Sequence, residues 1–262
     1  MPTKIINVST HNSIFKILRP RKVHSLIRVG GFQDGGYVVP SECLDEITRF
    51  VNFGVGENFE FERELFKRFG VDEIKSFDSL VSLKYFIIHL LKGFVKFLLF
   101  RAPISSFLDR LLLLIKFIDF YKLNPGVTFK KVFIDKLEAE SICLNCPDNS
   151  GLKVDIEHNE YPILNTISEN SSKFLFIIIE FHSVPTHEKQ IIEFFNKINS
   201  EFYIAHLSLN NRCADIHASP QTIEVTFCRI REDFNGFVDS LPNADLDWHV
   251  PNRPIYRLDY KE

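Results

Sequence analysis

The sequence predicts an α/β fold: one mainly parallel, seven-stranded sheet whose last pair is antiparallel, with a helical insertion after the second strand. Three observations carry this. From Arg49 onward, short apolar runs of strand length alternate with segments of helical periodicity. A glycine turn closes the first strand and an acid closes the second. The last two β-like segments, Phe202 to Leu209 and Thr222 to Ile230, read as a terminal antiparallel unit.

In chain order, residues 1 to 45 form a polar, partly helical lead-in ending in a glycine-rich turn, Gly30 through Tyr37. Arg49 to Phe53 is a buried strand, and Gly54-Val55-Gly56 is its turn. Asn58 to Phe69 carries Phe61, Leu65, Phe66 and Phe69 on one face, the spacing of an amphipathic helix. Glu60, Glu62 and Glu64 enrich its first half in acid, which suits the positive end of a helix dipole, and Gly70 closes it. Ile74 to Phe77 is the next strand and ends at Asp78. The insertion, residues 80 to 123, holds two apolar segments, Val81 to Phe100 and Ser105 to Tyr121, parted by Arg101-Ala102-Pro103. Beyond it, strands at Val127 to Ile134, Leu152 to Ile156 and Phe174 to Glu180 accompany helices at Tyr161 to Ile167 and His187 to Ile198. The tail from Leu241 is proline-rich and irregular. With no repeat and no low-complexity linker, residues 1–262 are a single domain.

A chain of 262 residues can bury a full core, and 45% hydrophobic with 25% charged residues is ordinary for a soluble globular protein. A formal charge of −3 offers no basic excess, so nucleic acid is not expected as a partner. The five cysteines are scattered and the stretch from Met1 to Lys22 has no long apolar core, so a cytoplasmic protein with reduced thiols is expected. Cys143 and Cys146 form a C-x-x-C with no second pair at zinc spacing; two thiols near a strand end is the simpler reading, and no metal site is assigned.

Strand, glycine turn, helix, strand, acid is an arrangement that binds an adenosyl group. Glycines let the backbone approach the ligand, the helix amino end presents free N–H groups, and the acid accepts from the ribose hydroxyls. Here the parts are Gly54, Gly56 and Asp78, the last two 22 residues apart where about 20 is usual. A dinucleotide fingerprint needs a third glycine for tight packing around a pyrophosphate. Position 59 is Phe59, which disfavours an NAD-dependent oxidoreductase and favours S-adenosylmethionine, a donor with no pyrophosphate.

Several segments, in order, resemble the FkbM-like family of methyltransferases: Val29 to Val39, Asn52 to Glu62, Phe77-Asp78-Ser79, Leu152 to Glu157, Ile178 to His182, Leu209-Asn210-Asn211 and Ile223 to Phe227. The tail segments Leu241-Pro242-Asn243 and Pro251 to Pro254 are also similar. His158 stands where that family usually has glycine. The resemblance implies a Rossmann-like methyltransferase fold, S-adenosylmethionine, and commonly O-methylation of sugars in surface polysaccharide or glycoconjugate biosynthesis. It also implies that Asp34, Gly35, Gly36 and Tyr37 form a loop covering the methionine part of the donor.

Ligands of open α/β sheets sit beyond the carboxyl ends of the strands, which places Asp155, Glu157, His158, Glu180 and His182 near the reacting centre. Methyl transfer to a hydroxyl needs alignment and removal of the hydroxyl proton, work suited to a histidine. His182 is the first candidate base and His158 the second, with Asp155 orienting or contacting the donor. The alternatives are a His182 that merely caps its strand, and a divalent cation held by Asp155, Glu180 and His182. Asp135 is a weaker candidate for the adenine amino group.

In the insertion, His89, Lys92 and Lys96 share one helix face, and Leu90, Leu91, Phe94, Phe97 and Leu98 fill much of the rest. A substrate lid or oligomer contact is the first expectation, and peripheral contact with the inner face of the membrane through residues 81–122 the second. Lys84, Lys92 and Lys96 argue against a transmembrane span. The expected partners are a small-molecule or glycan acceptor and a second copy of the chain. The rival class to an enzyme is a non-catalytic, membrane-associated binding relative.

Overall fold

The computed structural model describes residues 4–9, 14–23, 25–32, 35–214, 216–230 and 236–260. Its main sheet has seven strands, numbered in chain order: β1 (Arg49–Phe53), β2 (Glu73–Asp78), β3 (Val127–Lys131), β4 (Ser150–Val154), β5 (Phe174–His182), β6 (Phe202–Leu209) and β7 (Thr222–Arg229). They lie side by side in the order β3-β2-β1-β4-β5-β7-β6. The first five are parallel, and β7 runs antiparallel to both β5 and β6. The expected Rossmann-like α/β sheet with an antiparallel last pair is the observed one. The chain steps outward from β1 to β3 and returns to β4 on the other side. That reversal leaves a crevice at the carboxyl ends of β1 and β4, where such sheets bind ligands.

Side chains alternate across the sheet, so each strand serves two cores. Phe50 faces one core, Val51 and Phe53 the other. Helices α4 (Lys136–Leu144), α5 (Leu164–Glu169) and α6 (Val184–Ile198) cover the Val51 side. Helix α1 (Glu60–Arg68), the hairpin of α2 (Leu83–Leu98) and α3 (Ile104–Leu123), and the later part of the lead-in, with Val29, Tyr37 and Val39, cover the Phe50 side, while Ile14, Phe15 and Leu18 pack on the Val51 side.

Local structure adds to or departs from the sequence reading at several points. The lead-in is partly helical, at Ile14–Ile17 and Ser41–Glu46, and Leu26–Val29 and Tyr37–Pro40 also pair as an antiparallel ribbon. The tail is not wholly irregular, because Ile255–Asp259 pairs parallel with Ile5–Val8 and antiparallel with Ser240–Leu241. Helix α4 is absent from the sequence reading because its periodicity is weak, with only Ala139 and Cys143, one turn apart, among its buried residues. Glu62 lies in the first helical turn as expected but is 1% exposed, and its inward role is described below.

Phe59 explains itself once the insertion is in place. Its ring is buried and stacks on Phe120, with Phe117 and Tyr121 beside it. The position that would need glycine in a dinucleotide fold is here the anchor for α3. Lys116 of α3 adds an ion pair to Glu60 at 2.8 Å, which with Arg63 holds the Glu60 carboxyl below its usual range against the opposing effect of burial.

Phe117 is wholly buried among Phe59, Phe86, Tyr121 and Phe129. Phe117→Ala is expected to lower the unfolding free energy in urea by about 3–5 kcal/mol. Leu98→Ala, on the exposed side of the same hairpin, should change it by no more than about 0.5 kcal/mol.

Candidate active site

The glycine turn after β1 is built by a close approach that only glycine permits. Gly54 has φ +88°, and a Cβ there would sit 1.6 Å from the Asp155 carbonyl oxygen. Backbone N–H groups of Gly54 and Asp155 donate to Phe77 and Phe53 at 2.8 Å, continuing the parallel ladders past the strand ends. Gly56 has φ +62° and open space where a side chain would begin. Asp78 at the end of β2 clamps the turn. Its Oδ2 accepts from Val55 and Gly56 at 2.9 and 3.1 Å, and its Oδ1 accepts from Leu80 and Val81 at 2.7 and 2.8 Å.

Beneath the turn lies a buried charge outside the residues that sequence reasoning marks. Lys153 in β4 is 2% exposed and donates to the Gly54 carbonyl at 2.8 Å and to Asn52 Oδ1 at 3.4 Å. Asp155 Oδ2 and Glu62 Oε1 lie 3.8 and 4.0 Å from its Nζ, and the Tyr37 ring lies 4.9 Å away. Asn52 donates to Glu62 at 2.6 Å, and the Tyr37 hydroxyl donates to Asp155 at 3.2 Å. Burial pushes Glu62 upward, against the pull of Lys153. Burial also drives the Tyr37 hydroxyl well above its ordinary range, so it stays a donor. The signal was a lysine inside an apolar strand, since a buried ammonium requires partners.

Two clefts meet over this network. One, about 510 Å³, is lined by Gly54, Gly56, Phe77, Asp78, Val81 and Ile134. The other, about 450 Å³, is lined by Gly35, Tyr37, Glu180, His182, Asn210 and Arg212. Gly56, Glu57, Asp155 and Glu157 belong to both. A larger cavity, about 660 Å³, lies between α4 and the sheet, with Arg49 and Glu73 at strand starts, and does not touch the glycine turn.

In the second cleft His182 is enclosed by carboxylates. Glu160, fully buried, accepts from the His182 backbone N–H at 2.7 Å and meets its Nδ1 at 3.2 Å. Nε2 faces Glu157 at 3.6 Å and Glu180 at 3.9 Å. Tyr161 donates to the His182 carbonyl. Burial alone would lower the imidazole, but the Glu160 hydrogen bond and the charges of Glu180, Glu160 and Asp155 outweigh it and push His182 to about 9. His158 is exposed at the rim, its ring 5.1 Å from that of His182 and its Nδ1 3.4 Å from Ser183 Oγ. Its φ of +73° is the left-handed conformation that favours glycine.

The sheet therefore gathers Gly54, Gly56, Asp78, Asp155, His158 and His182 around the joined clefts, with Gly35 and Tyr37 from the lead-in. Gly36 lies just behind, where a Cβ would meet the Gly31 carbonyl at 2.2 Å. Asp34 lies outside the described residues. Asp135 is not at the site: its side chain caps α4 through the Glu138 N–H at 2.9 Å. Glu160 was also missed, because a lone acid before a helical turn carries no sequence pattern. Ligand atoms of Asp155, Glu157 and His182 lie within 4.8 Å of one another, a spacing that could hold a metal ion. The C-x-x-C thiols are buried, and burial together with the neighbouring Cys146 sulfur pushes Cys143 up to about 12.

No protein-family model matches the sequence, and a search of curated proteins finds no relative of similar sequence. Solved structures with a similar fold include a fibrillarin/Nop5p complex, 12% identical, with a TM-score of 0.38 over 71% of this chain and 74% of that one. Another is the precorrin-6y C5,15-methyltransferase of Geobacter metallireducens, 10% identical, TM-score 0.40, covering 72% and 85%. A third is a putative RNA methyltransferase of Pyrococcus horikoshii, 12% identical, TM-score 0.38, covering 78% and 93%. The FkbM-like resemblance gains no support from these. The expectation that excluded nucleic acid is withdrawn: a putative RNA methyltransferase and a fibrillarin/Nop5p complex are among the solved structures found similar.

Lys153→Met should destabilise the protein by about 3–5 kcal/mol in urea unfolding, because it strands Asp155 and Glu62 without their cation. His182 should titrate near 9 by imidazole NMR. Because its folded pKa is raised above the ordinary 6.5, its contribution to stability is complete below pH 6.5 and is lost as pH rises through 9. Glu160→Gln should move the midpoint down and flatten that dependence.

Proposed function

We propose that the protein is an S-adenosylmethionine-dependent O-methyltransferase acting on a sugar hydroxyl of a polysaccharide or glycoconjugate. The observation that carries the reading is the pair of joined clefts at the switch point, one walled by the glycine turn and the other by titratable groups, with Asp155 at their junction. The first cleft is within the size of small-ligand pockets, about 300–1,000 Å³. Phe77, Val81 and Ile134 would flank the adenine, and Gly56, with no side chain, leaves the backbone open to the ligand. Asp78 would reach the ribose by exchanging one of its backbone N–H bonds, so its clamp on the turn and its contact with the donor are coupled. When bound, S-adenosylmethionine supplies an electrophilic methyl group on a sulfonium. Asp155, fixed by Tyr37 and Lys153, presents a negative charge toward that position.

His182, a cation at neutral pH, is suited to hold the acceptor oxygen and favour its negative charge rather than to take its proton. The base role passes to His158 at the rim. Glu180 and Asn210, with Arg212 nearby, offer the acceptors and donors that orient several hydroxyls. A second reading is favoured by the Asp155–Glu157–His182 spacing: a divalent cation in place of the His182 proton would lower the acceptor hydroxyl's pKa. The proposed compartment is the cytoplasm, supported by the few and scattered cysteines of the sequence. Among the described residues, no helix is long and apolar enough to cross a membrane.

Calorimetry should show binding of S-adenosylmethionine, no binding of NAD, and at least about tenfold weaker donor binding by Gly56→Val; NAD binding alone would reverse the assignment. With methyl-labelled donor and separate glycan, glycolipid and RNA acceptors, His158→Ala should lower kcat by about 10²–10⁴ with donor affinity kept. Label in RNA alone would overturn the sugar acceptor, binding without turnover would point to the non-catalytic relative, and loss of turnover on chelation would select the metal reading.

A further inference from the structure

The α2–α3 hairpin exposes an apolar surface that the proposed chemistry does not use. On α2, Ile87, Leu91, Phe94, Val95 and Leu98 are exposed at steps of three and four, one face of the helix. On α3, Ile104, Leu108, Leu112 and Ile115 repeat the pattern. Between the helices, Gly93 packs against Arg110 and the Phe94 and Phe107 rings meet at 5.6 Å. The helices are antiparallel, and each leaves most of its apolar stripe outside this seam, exposed to solvent. At the tip Leu99 is exposed and Phe100 is 98% exposed. Phe100 also has φ +53°, a helix-ending conformation normally left to glycine or asparagine. Backbone N–H groups of Phe100 and Arg101 donate to the Phe97 and Lys96 carbonyls at 2.9 and 2.8 Å and offset the backbone strain, but nothing among the described residues covers the ring, and water around a large aromatic ring costs stability.

The charge on this hairpin selects the occupant. Residues 81–122 carry seven lysines and arginines against two aspartates, a local charge of +5 in a chain of −3. Arg110 and Lys116 have partners within the fold. Lys84, Lys92, Lys96 and Arg101 form no ion pair among the described residues. An apolar face bordered by unpaired cations fits a bilayer surface with anionic headgroups, where acyl chains take the stripe and headgroups take the lysines. A two-fold dimer through the same patch would bring its cations face to face, since both copies use one surface. RNA would meet the lysines but leave the stripe in water. Neither helix can span a bilayer, so the contact is interfacial.

The geometry points to the α2–α3 hairpin as a docking surface for an anionic lipid bilayer, with the Leu98-Leu99-Phe100 tip entering the acyl boundary and Lys92, Lys96 and Arg101 meeting the headgroups. The root of the hairpin borders the first cleft: Leu80, Val81 and Tyr85 line it, and the Tyr85 hydroxyl donates to Glu57 at 2.5 Å. Docking thus holds the cleft at the membrane.

The test is co-sedimentation of the full chain with vesicles of phosphatidylcholine alone or mixed in equal parts with phosphatidylglycerol, at low and high salt. The chain should bind the mixed vesicles, bind the neutral ones far less, and weaken as salt screens the headgroups. Leu98→Ser/Leu99→Ser/Phe100→Ser should lose at least about tenfold in vesicle affinity with an unchanged melting temperature, because all three side chains are exposed. Lys92→Gln/Lys96→Gln/Arg101→Gln should erase the preference for anionic vesicles. Three results would overturn the proposal: wild-type chain left in the supernatant, equal vesicle binding by the serine variant, or a dimer by light scattering that the serine variant splits while vesicles go unbound. None of these measurements needs donor or acceptor, so they stand or fall apart from the methyl-transfer reading.

Discussion

The site depends on one buried ammonium. Lys153 rises from the centre of the sheet almost wholly buried and must be neutralised where it stands. It does so by drawing in the Gly54 carbonyl, Asn52, Glu62 and Asp155. Those contacts fix the glycine turn from below while Asp78 fixes it from the side. The turn's shape is therefore set by charge compensation as much as by glycine. The same ammonium places Asp155 at the junction of the two clefts, with Tyr37 reaching down from the lead-in to complete the arrangement.

His182 follows the same logic with the sign reversed. Four carboxylates converge on the strand end, and Glu160 has no water to soften its charge. A cation is the natural resident of such a place. The proton on His182, which these charges hold up to about 9, is such a cation. His158, held out at the rim by a left-handed backbone, is free of that enclosure.

The inserted hairpin is joined to the same machinery by aromatic packing. Phe59, at the start of α1, supports Phe117 and Phe120 of α3, so the helix that begins at the glycine turn is also the foundation of the insertion. Tyr85 and His89 reach Glu57 in the turn itself. Whatever holds the hairpin's outer face is thus mechanically continuous with the cleft.

The sequence by itself determined the strand–turn–helix–strand order, the two glycines, Asp78, and the cluster Asp155, His158 and His182, because periodicity and strand-end position are local properties of the chain. It also set the hairpin's extent to within a few residues, from two long apolar segments split by proline. Only the tertiary structure decided what these residues do. Glu62 reads as a helix-start acid and is the counter-charge to a lysine 91 positions away in sequence. Asp135 reads as a ligand contact and is a helix cap. His182 reads as a base until Glu160, which no pattern marks, is seen against its ring. A buried charge is defined by its partners, and those partners are brought together by sheet order, which no local pattern in the chain records.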